Sequence, residues 1–121
     1  MTPESLWHRY ALVWSSEPAV RATELEVCLA DHCSYCDVNG LLEGRDALSR
    51  YMGGFQTSVK GGRFEILSVI HHHDRMLAEW RLLAPDGAVL QTGRSFATRT
   101  GDGRLQDITG FFDTATRTDA V

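Results

Sequence analysis

The sequence predicts an α+β domain in which three helices are followed by an antiparallel sheet. Apolar residues recur at helical spacing as far as Phe55, and from Gly61 onward they lie in strand-like runs separated by tight turns. An antiparallel sheet of this size needs one face covered, and the three amphipathic helices are the available cover. The 121 residues are enough for one domain with its own core, and we expect only the tail from about residue 114 to fray.

Each of the three predicted helices has a start signal or an apolar face. The first begins in TPE, residues 2–4, where a hydroxyl cap, a proline and a carboxylate suit the first turn of a helix. The sequence SSEP ends that helix and starts the second, which we expect over about residues 18–29. The third helix follows Gly44 and carries four apolar residues at positions i, i+3, i+4 and i+7. Those four residues are Leu48, Tyr51, Met52 and Phe55.

Four strands are expected in the second half of the chain. The turns between the last three are PDG at residues 85–87 and GDG at residues 101–103. The predicted strands are RFEILSVIHH at 63–72, MLAEWRLL at 76–83, AVLQTGRSFATR at 88–99 and RLQDITGFFD at 104–113. A short strand at 34–37 adds to this meander, and the NGLLEG that follows it is interpreted as a loop.

Composition and charge exclude several classes of function. A net charge of −4 leaves no basic surface for a nucleic acid partner. No stretch of about eighteen apolar residues could cross a membrane, and the opening residues lack the apolar segment of a signal peptide. Three cysteines, an odd number, favour reduced thiols. We therefore expect a cytoplasmic protein.

The stretch HCSYCD contains residue types that bind metals, but its spacing does not form a site. Cys33 and Cys36 are three apart on a predicted strand, so their side chains point to opposite faces. The third cysteine, Cys28, lies in a predicted helix, so no second pair completes a zinc site. We expect neither a metal nor a cofactor.

Three consecutive histidines, His71, His72 and His73, end the first long strand. One interpretation is a polar strand end that runs into a hairpin. The other is that one of the three lines the mouth of a pocket and acts as an acid or a base. The first interpretation is favoured, because an isolated cluster of histidines is a weak signal for a metal site.

The order and spacing of several segments resemble one known superfamily. The segments are RYALVW, LADHCSYCDVNG leading into LLEGRDALSRYM, and GDGRLQDITGFFD at the end. Over about residues 6–113 they resemble the nuclear-transport-factor-2-like superfamily, and within it the SnoaL-like group. The resemblance implies a cone-shaped, curved antiparallel sheet whose concave face is covered by the three helices and encloses an apolar pocket. It also implies a small hydrophobic ligand and a homodimer formed through the outer sheet face.

Two residues of such a pocket are candidates for catalysis. Asp37 ends a short strand on the same face as Tyr35, and in an apolar pocket it would be a usable base near neutral pH. A distant resemblance to ketosteroid isomerase implies that Asp37 shuttles a proton and that Tyr10, on the first helix, stabilises an oxyanion. Asp37 could instead cap the turn before Asn39-Gly40, and Tyr10 could be a core residue whose hydroxyl bonds a backbone carbonyl.

Arg94 departs from the isomerase pattern, which has a protonated aspartic acid on the corresponding strand. We expect Arg94 to share a face with Phe96 inside the pocket and to bind an anionic group of the ligand. The alternative is the opposite sheet face, with Arg94 paired across a dimer interface. The apolar residues expected to line the pocket are Trp7, Trp14, Met52, Phe55, Trp80, Phe96, Ile108 and Phe112. Asp107 and Thr109 alternate away from that set and are expected on the outer face.

These residues favour acid–base chemistry on a small apolar or aromatic carbonyl compound. The reaction would be an isomerisation, cyclisation or dehydration, with Asp37 as the base and Tyr10 as the hydrogen-bond donor. The alternative is a noncatalytic domain of the same fold that binds a small ligand or dimerises. An open pocket lined by Asp37 and Arg94 would favour catalysis.

Overall fold

The computed structural model describes residues 1–113, so the tail expected to fray from residue 114 lies outside the described part. The helices are α1 (Pro3–Val13), α2 (Pro18–Cys28) and α3 (Arg45–Ser58). The strands are β1 (Leu29–Asp37), β2 (Gly40–Glu43), β3 (Arg63–His72), β4 (Arg75–Leu83), β5 (Val89–Arg99) and β6 (Leu105–Phe112). The three helices and four long strands lie within a few residues of their predicted bounds, and the α+β class is confirmed.

The strands form one sheet in the order β2-β1-β6-β5-β4-β3. Strands β3 to β6 are the predicted antiparallel meander. The first half differs from the prediction, because β1 is longer than residues 34–37 and the presumed loop NGLLEG contains β2. A two-residue turn joins the two strands and pairs Asp37 with Gly40. Strand β1 runs parallel to β6, so the sheet is mixed rather than wholly antiparallel.

The helices cover one face of the sheet and are tied together by buried polar side chains. Helix α1 packs on β3, α3 packs on β1 and β2, and α2 contacts both other helices. Arg21, buried on α2, donates to the hydroxyl of Ser49 on α3 at 3.0 Å. Gln56 of α3 donates to the backbone carbonyl of Trp14 at 2.9 Å. These bonds hold α3 beside the end of α1, above the sheet.

The packed core lies between the helices and the sheet. Its least exposed side chains include Leu6, Trp7, Leu25, Leu48, Met52, Leu105 and Ile108. Burying a large apolar side chain stabilises the folded state by about 1.5–3 kcal/mol, so this layer supplies most of the driving force for the fold. Among residues 1–113, no helix combines the length and the hydropathy that a membrane span requires.

Candidate functional site

A cavity of about 630 Å³ lies between the sheet and helices α1 and α3. Most of its walls are apolar, and they include every tyrosine and every tryptophan of the chain, three of each. Those six residues are Trp7, Tyr10, Trp14, Tyr35, Tyr51 and Trp80. A cavity of this size and composition suits a small ligand with an apolar or aromatic body.

Trp14 is the centre of the aromatic wall. Its ring lies 5.5 Å from Tyr35, 5.5 Å from Phe55 and 5.6 Å from Phe64, measured between centroids. The contacts with Phe55 and Phe64 are edge-to-face, the arrangement that aromatic pairs favour. The expected positions of Trp14 and Phe55 beside the pocket are therefore those in the structure, as are those of Trp80 and Phe112.

Asp37 lies at the wall of this cavity with 9% of its surface exposed. Its Oδ2 accepts a hydrogen bond from the Tyr35 hydroxyl at 2.7 Å, and its Oδ1 accepts one from the backbone amide of Asn39 at 2.7 Å. The Tyr51 hydroxyl lies 2.9 Å from both carboxylate oxygens. Asp37 therefore caps the β1–β2 turn and also lines the cavity.

Local structure explains why these groups meet at Asp37. Residues 33, 35 and 37 alternate onto the buried face of β1, which places Tyr35 and Asp37 side by side. The amide of Gly44, just before α3, donates to the backbone carbonyl of Cys33 at 2.9 Å. That bond anchors the start of α3 beside β1, so Tyr51 on the helix reaches the carboxylate.

All three tyrosines are held in their neutral form. Burial raises the pKa of Tyr10 and that of Tyr35, and the neighbouring Asp37 carboxylate adds to the effect. Burial, followed by the hydrogen bond to Asp37, raises the pKa of Tyr51 to about 12. The phenols therefore act as hydrogen-bond donors over the whole physiological pH range.

Tyr10 lies on the buried face of α1, 4% exposed, with its ring against the edge of Trp7. Among residues 1–113, the Tyr10 hydroxyl has no hydrogen-bond partner, and neither does the indole nitrogen of Trp7. The alternative in which the hydroxyl bonds a backbone carbonyl is therefore not what the structure shows. An unpaired buried polar group costs about 1–3 kcal/mol, which a ligand acceptor would recover.

Trp80 forms the far wall, and a hydrogen bond fixes its ring. Its indole nitrogen donates to the hydroxyl of buried Ser95 at 3.0 Å. Gly93 leaves room for the ring, because a Cβ there would overlap both the Trp80 ring and the backbone oxygen of Phe111. Gly93 and Ser95 are thus the inward residues of this part of β5.

The expected placement of Arg94 and Phe96 inside the pocket is corrected, since both lie on the outer face of the sheet. The Arg94 side chain is 54% exposed and pairs with Glu79 at 3.4 Å and Asp113 at 3.5 Å. Phe96 is 40% exposed. Alternation along β5 gives the physical reason, because the inward positions belong to Gly93 and Ser95. Arg94 therefore holds the alternative position, the opposite face, and its partners lie in its own chain.

Met52 and Ile108 also differ from expectation. Both are almost fully buried in the packed core, and neither lines the cavity. Ile108 lies directly opposite Tyr35 in the β1–β6 register, so it packs beside a wall residue rather than forming the wall. Asp107 and Thr109 lie on the outer face as expected, since Ile108 between them points inward.

The HCSYCD stretch has the geometry that strand alternation predicts. Cys33 is buried on the inner face, whereas Cys36 points to the other side. All three cysteines are free thiols, and burial raises the pKa of Cys28 to about 11. Among the described residues, no group of three or more His, Cys, Asp or Glu side chains could hold a metal ion.

None of the three histidines lines the cavity. His71 lies 3.4 Å from Glu4, and the Nδ1 atoms of His72 and His73 are 3.1 Å apart in the turn after β3. The polar strand end is therefore the interpretation that agrees with the structure.

Several residues of the site were not assigned a role from the sequence. Tyr35, Tyr51 and the Asn39 amide all bind Asp37, Ser95 binds Trp80, and Arg50 lines the cavity. A tyrosine on the apolar face of a predicted helix, as Tyr51 is, signals a hydroxyl that needs a buried partner. From that signal, a hydrogen bond from Tyr51 to the buried carboxylate of Asp37 could have been predicted.

Comparison with known proteins gives one family match, since the model of the SnoaL-like domain family matches residues 9–113. A proposed isomerase of the SnoaL-like family from Agrobacterium tumefaciens str. C58 superposes with a TM-score of 0.84 at 22% identity, over 90% of this chain and 95% of that one. An NTF2-like protein of unknown function from Exiguobacterium sp. 255-15 gives 0.73 at 17% identity, over 90% and 98%. A proposed polyketide cyclase from Sinorhizobium meliloti gives 0.69 at 16% identity, over 88% and 93%. These likenesses confirm the cone-shaped fold. A comparison with curated proteins finds no match.

Proposed function

The chain belongs to the SnoaL-like domain family, and from that membership we propose that it is an enzyme that moves a proton on a small apolar or aromatic carbonyl compound. One observation carries the proposal: a carboxylate, Asp37, lies at the wall of a cavity that is otherwise mostly apolar. The similar structures described as a proposed isomerase and a proposed polyketide cyclase are consistent with this class of reaction. The proposed reaction is an isomerisation, cyclisation or dehydration that needs no metal or organic cofactor.

In the proposed mechanism, Asp37 acts as the base. A carboxylate oxygen takes the proton from the carbon next to the ligand carbonyl. In this step the C–H pair becomes the new C=C bond while the π pair of the C=O bond moves onto oxygen. Tyr10 donates a hydrogen bond to the resulting oxyanion. Return of the proton from Asp37 to a different carbon of the conjugated enolate re-forms the C=O bond and completes an isomerisation.

Tyr10 is the proposed donor because its proton is uncommitted. The hydroxyls of Tyr35 and Tyr51 both donate to Asp37, whereas that of Tyr10 donates to no residue among 1–113. The same division assigns Tyr35 and Tyr51 a positioning role, since they fix the orientation of the carboxylate at the cavity wall.

A noncatalytic binding domain is the second candidate, and the environment of Asp37 favours it. Three donors approach the four lone pairs of the carboxylate. A carboxylate whose acceptor positions are occupied by donors of its own protein can serve to order the backbone and side chains around it. In this candidate the cavity binds a ligand and Asp37 only orders the wall.

Proton exchange distinguishes the two candidates. We expect the protein to accelerate exchange of the α-protons of 2-tetralone in D₂O, followed by NMR, because enolisation is the proposed step. Asp37→Asn should lower that rate by about a hundredfold or more. The control is Asp107→Asn, which alters an outer-face carboxylate that accepts a hydrogen bond from Ser34.

Equal exchange rates for Asp37→Asn and the unaltered protein would contradict the catalytic proposal. Binding of 2-tetralone without any exchange above the buffer rate would support the noncatalytic candidate. A thermal melt of each variant confirms that it is folded.

We also propose that two copies associate through the outer sheet face, defined here as the outer patch of Ile70, Leu77, Phe96 and Phe111. The strand register places Ile70 opposite Leu77, and Leu77 opposite Phe96. Phe111 is 65% exposed and Ile70 64% exposed. An apolar group of this kind on one sheet face is typical of a protein interface. The free thiols are consistent with the cytoplasm as the proposed compartment.

A further inference from the structure

Among residues 1–113, Arg50 is the single cationic side chain that lines the cavity. Among the ten arginines of residues 1–113, the other nine donate to a side-chain or backbone oxygen of the protein. Arg50 alone has no acceptor within that part of the chain. A guanidinium keeps its charge and its five donors at every relevant pH, so this one is available to a ligand.

Helix α3 places Arg50 at the edge of the cavity rather than in its interior. Arg50, Gly54 and Ser58 are four residues apart and follow one stripe of the helix, and all three line the cavity. Tyr51 and Phe55, one position further along, turn toward the aromatic wall. The stripe is therefore the rim, with Arg50 exposed to solvent at its N-terminal end.

Gly54 opens this rim. A glycine in the middle of a helix costs about 0.5–1 kcal/mol relative to alanine, so its presence needs a reason. No steric conflict supplies one, because a Cβ at Gly54 would meet nothing within 4 Å. The absent side chain leaves open space on the same stripe of α3 as Arg50.

Arg50 does not compensate the charge of the carboxylate that lines the cavity. Asp37 is the other charged residue among those that line it, and it is already bonded by Tyr35, Tyr51 and the Asn39 amide. Arg50 forms no ion pair with it. The cavity therefore contains one carboxylate that already accepts hydrogen bonds from the protein. At its opening lies one guanidinium that donates to no oxygen of residues 1–113.

We propose that the ligand carries a carboxylate that binds Arg50 at the rim while its apolar part, with the reacting carbonyl, lies inside the cavity. This deepens the proposed function and rests on it for the carbonyl, whereas the binding of the anion rests on Arg50 alone. A planar carboxylate matches the two-pronged donor geometry of a guanidinium. The anionic group expected from the sequence at Arg94 is thus assigned to Arg50.

A matched pair of probes tests the inference. Titration calorimetry compares 2-naphthylacetate with 2-naphthylacetamide, which has the same shape and no charge. The unaltered protein should bind the anion about fivefold or more tightly than the amide. Arg50→Gln should bind both probes alike, and the control Arg94→Gln, on the outer face, should keep the preference for the anion. The preference should also shrink at high salt, because an exposed charge pair is screened.

Three outcomes would overturn the inference: no preference in the unaltered protein, a preference that survives in Arg50→Gln, or no binding of either probe. The exchange of 2-tetralone, which is uncharged, tests the proposed function separately. Anion preference without exchange would leave Arg50 as a ligand contact of a binding domain, whereas exchange without anion preference would remove only the carboxylate from the substrate.

Discussion

Asp37 both stabilises the backbone around it and lines the cavity. It caps the turn that starts β2, and through Tyr51 it also ties α3 to the sheet. The two phenols that donate to it are therefore coupled to the fold as well as to the site. Their ionisation should destabilise both, which makes alkaline pH a direct probe of this arrangement.

At the residue scale, the tyrosines should ionise at a higher pH than the usual tyrosine pKa of about 10 predicts. In the folded protein the pKa of Tyr51 is raised to about 12, and burial raises those of Tyr10 and Tyr35 as well. The folded state thus favours the neutral phenols. Their stabilising contribution is complete below about pH 10 and is lost as the pH rises toward about 12.

Absorbance at 295 nm, recorded with circular dichroism across this range, checks the prediction. We expect no phenolate signal near pH 10, and we expect unfolding to accompany the signal that develops toward pH 12. Tyr51→Phe should lack the first part of that signal. A tyrosine that ionises near pH 10 in the folded protein would disprove it.

At the scale of elements, β5 depends on a glycine. Gly93→Ala would push a methyl group into the Trp80 ring and the backbone oxygen of Phe111, so the ring must move away from Ser95. We expect a loss of about 1–3 kcal/mol in the free energy of unfolding, measured with urea. Gly54→Ala is the matched control, because open space and a helical backbone should make it stabilising by up to about 1 kcal/mol.

Equal stability of Gly93→Ala and the unaltered protein would show that Trp80 is not confined by the close approach of Gly93.

Strand β5 also shows why part of the site could not be read from the sequence. Alternation predicts that Arg94 and Phe96 share a face, and they do, but it does not say which face is inside. Apolar side chains usually mark the buried face of a strand, but on β5 the large apolar residue Phe96 lies on the exposed face. Small residues, Gly93 and Ser95, face a cavity that needs space, while Phe96 lies on the exposed outer patch.

The helices and the β3–β6 meander were predictable because their signals are local: caps, helical spacing and tight turns. The pairing of β1 with β6 has no local signal, since it joins residues about seventy positions apart in the chain. The positions of Asp37 and Tyr10 beside the cavity were expected from the resemblance to ketosteroid isomerase, with Asp37 at the end of a predicted strand and Tyr10 on the first helix. The hydrogen bond from Tyr51 to Asp37 depends on how α3 sits on the sheet, which the spacing of the helix residues does not specify.

At the scale of the whole molecule, the outer patch predicts a dimer at micromolar concentration in sedimentation velocity. Phe111→Glu should give a monomer, because the interface would lose a large apolar side chain and would have to remove a carboxylate from water. The control is Leu41→Glu on β2, where the original side chain is 73% exposed and lies outside the outer patch. A monomeric unaltered protein would contradict the proposed assembly, and so would a Phe111→Glu variant that stays dimeric.

The position of β1 between β2 and β6 has a consequence for how the protein is made. As the chain is synthesised, β1 and β2 can pair with each other, but the other edge of β1 has no strand to bind until β6 has emerged. Asp37 ends β1, and Gly110 of β6 lines the same cavity. The wall of the cavity is therefore complete only once β6 has joined the sheet and brought Gly110 and Phe112 beside it.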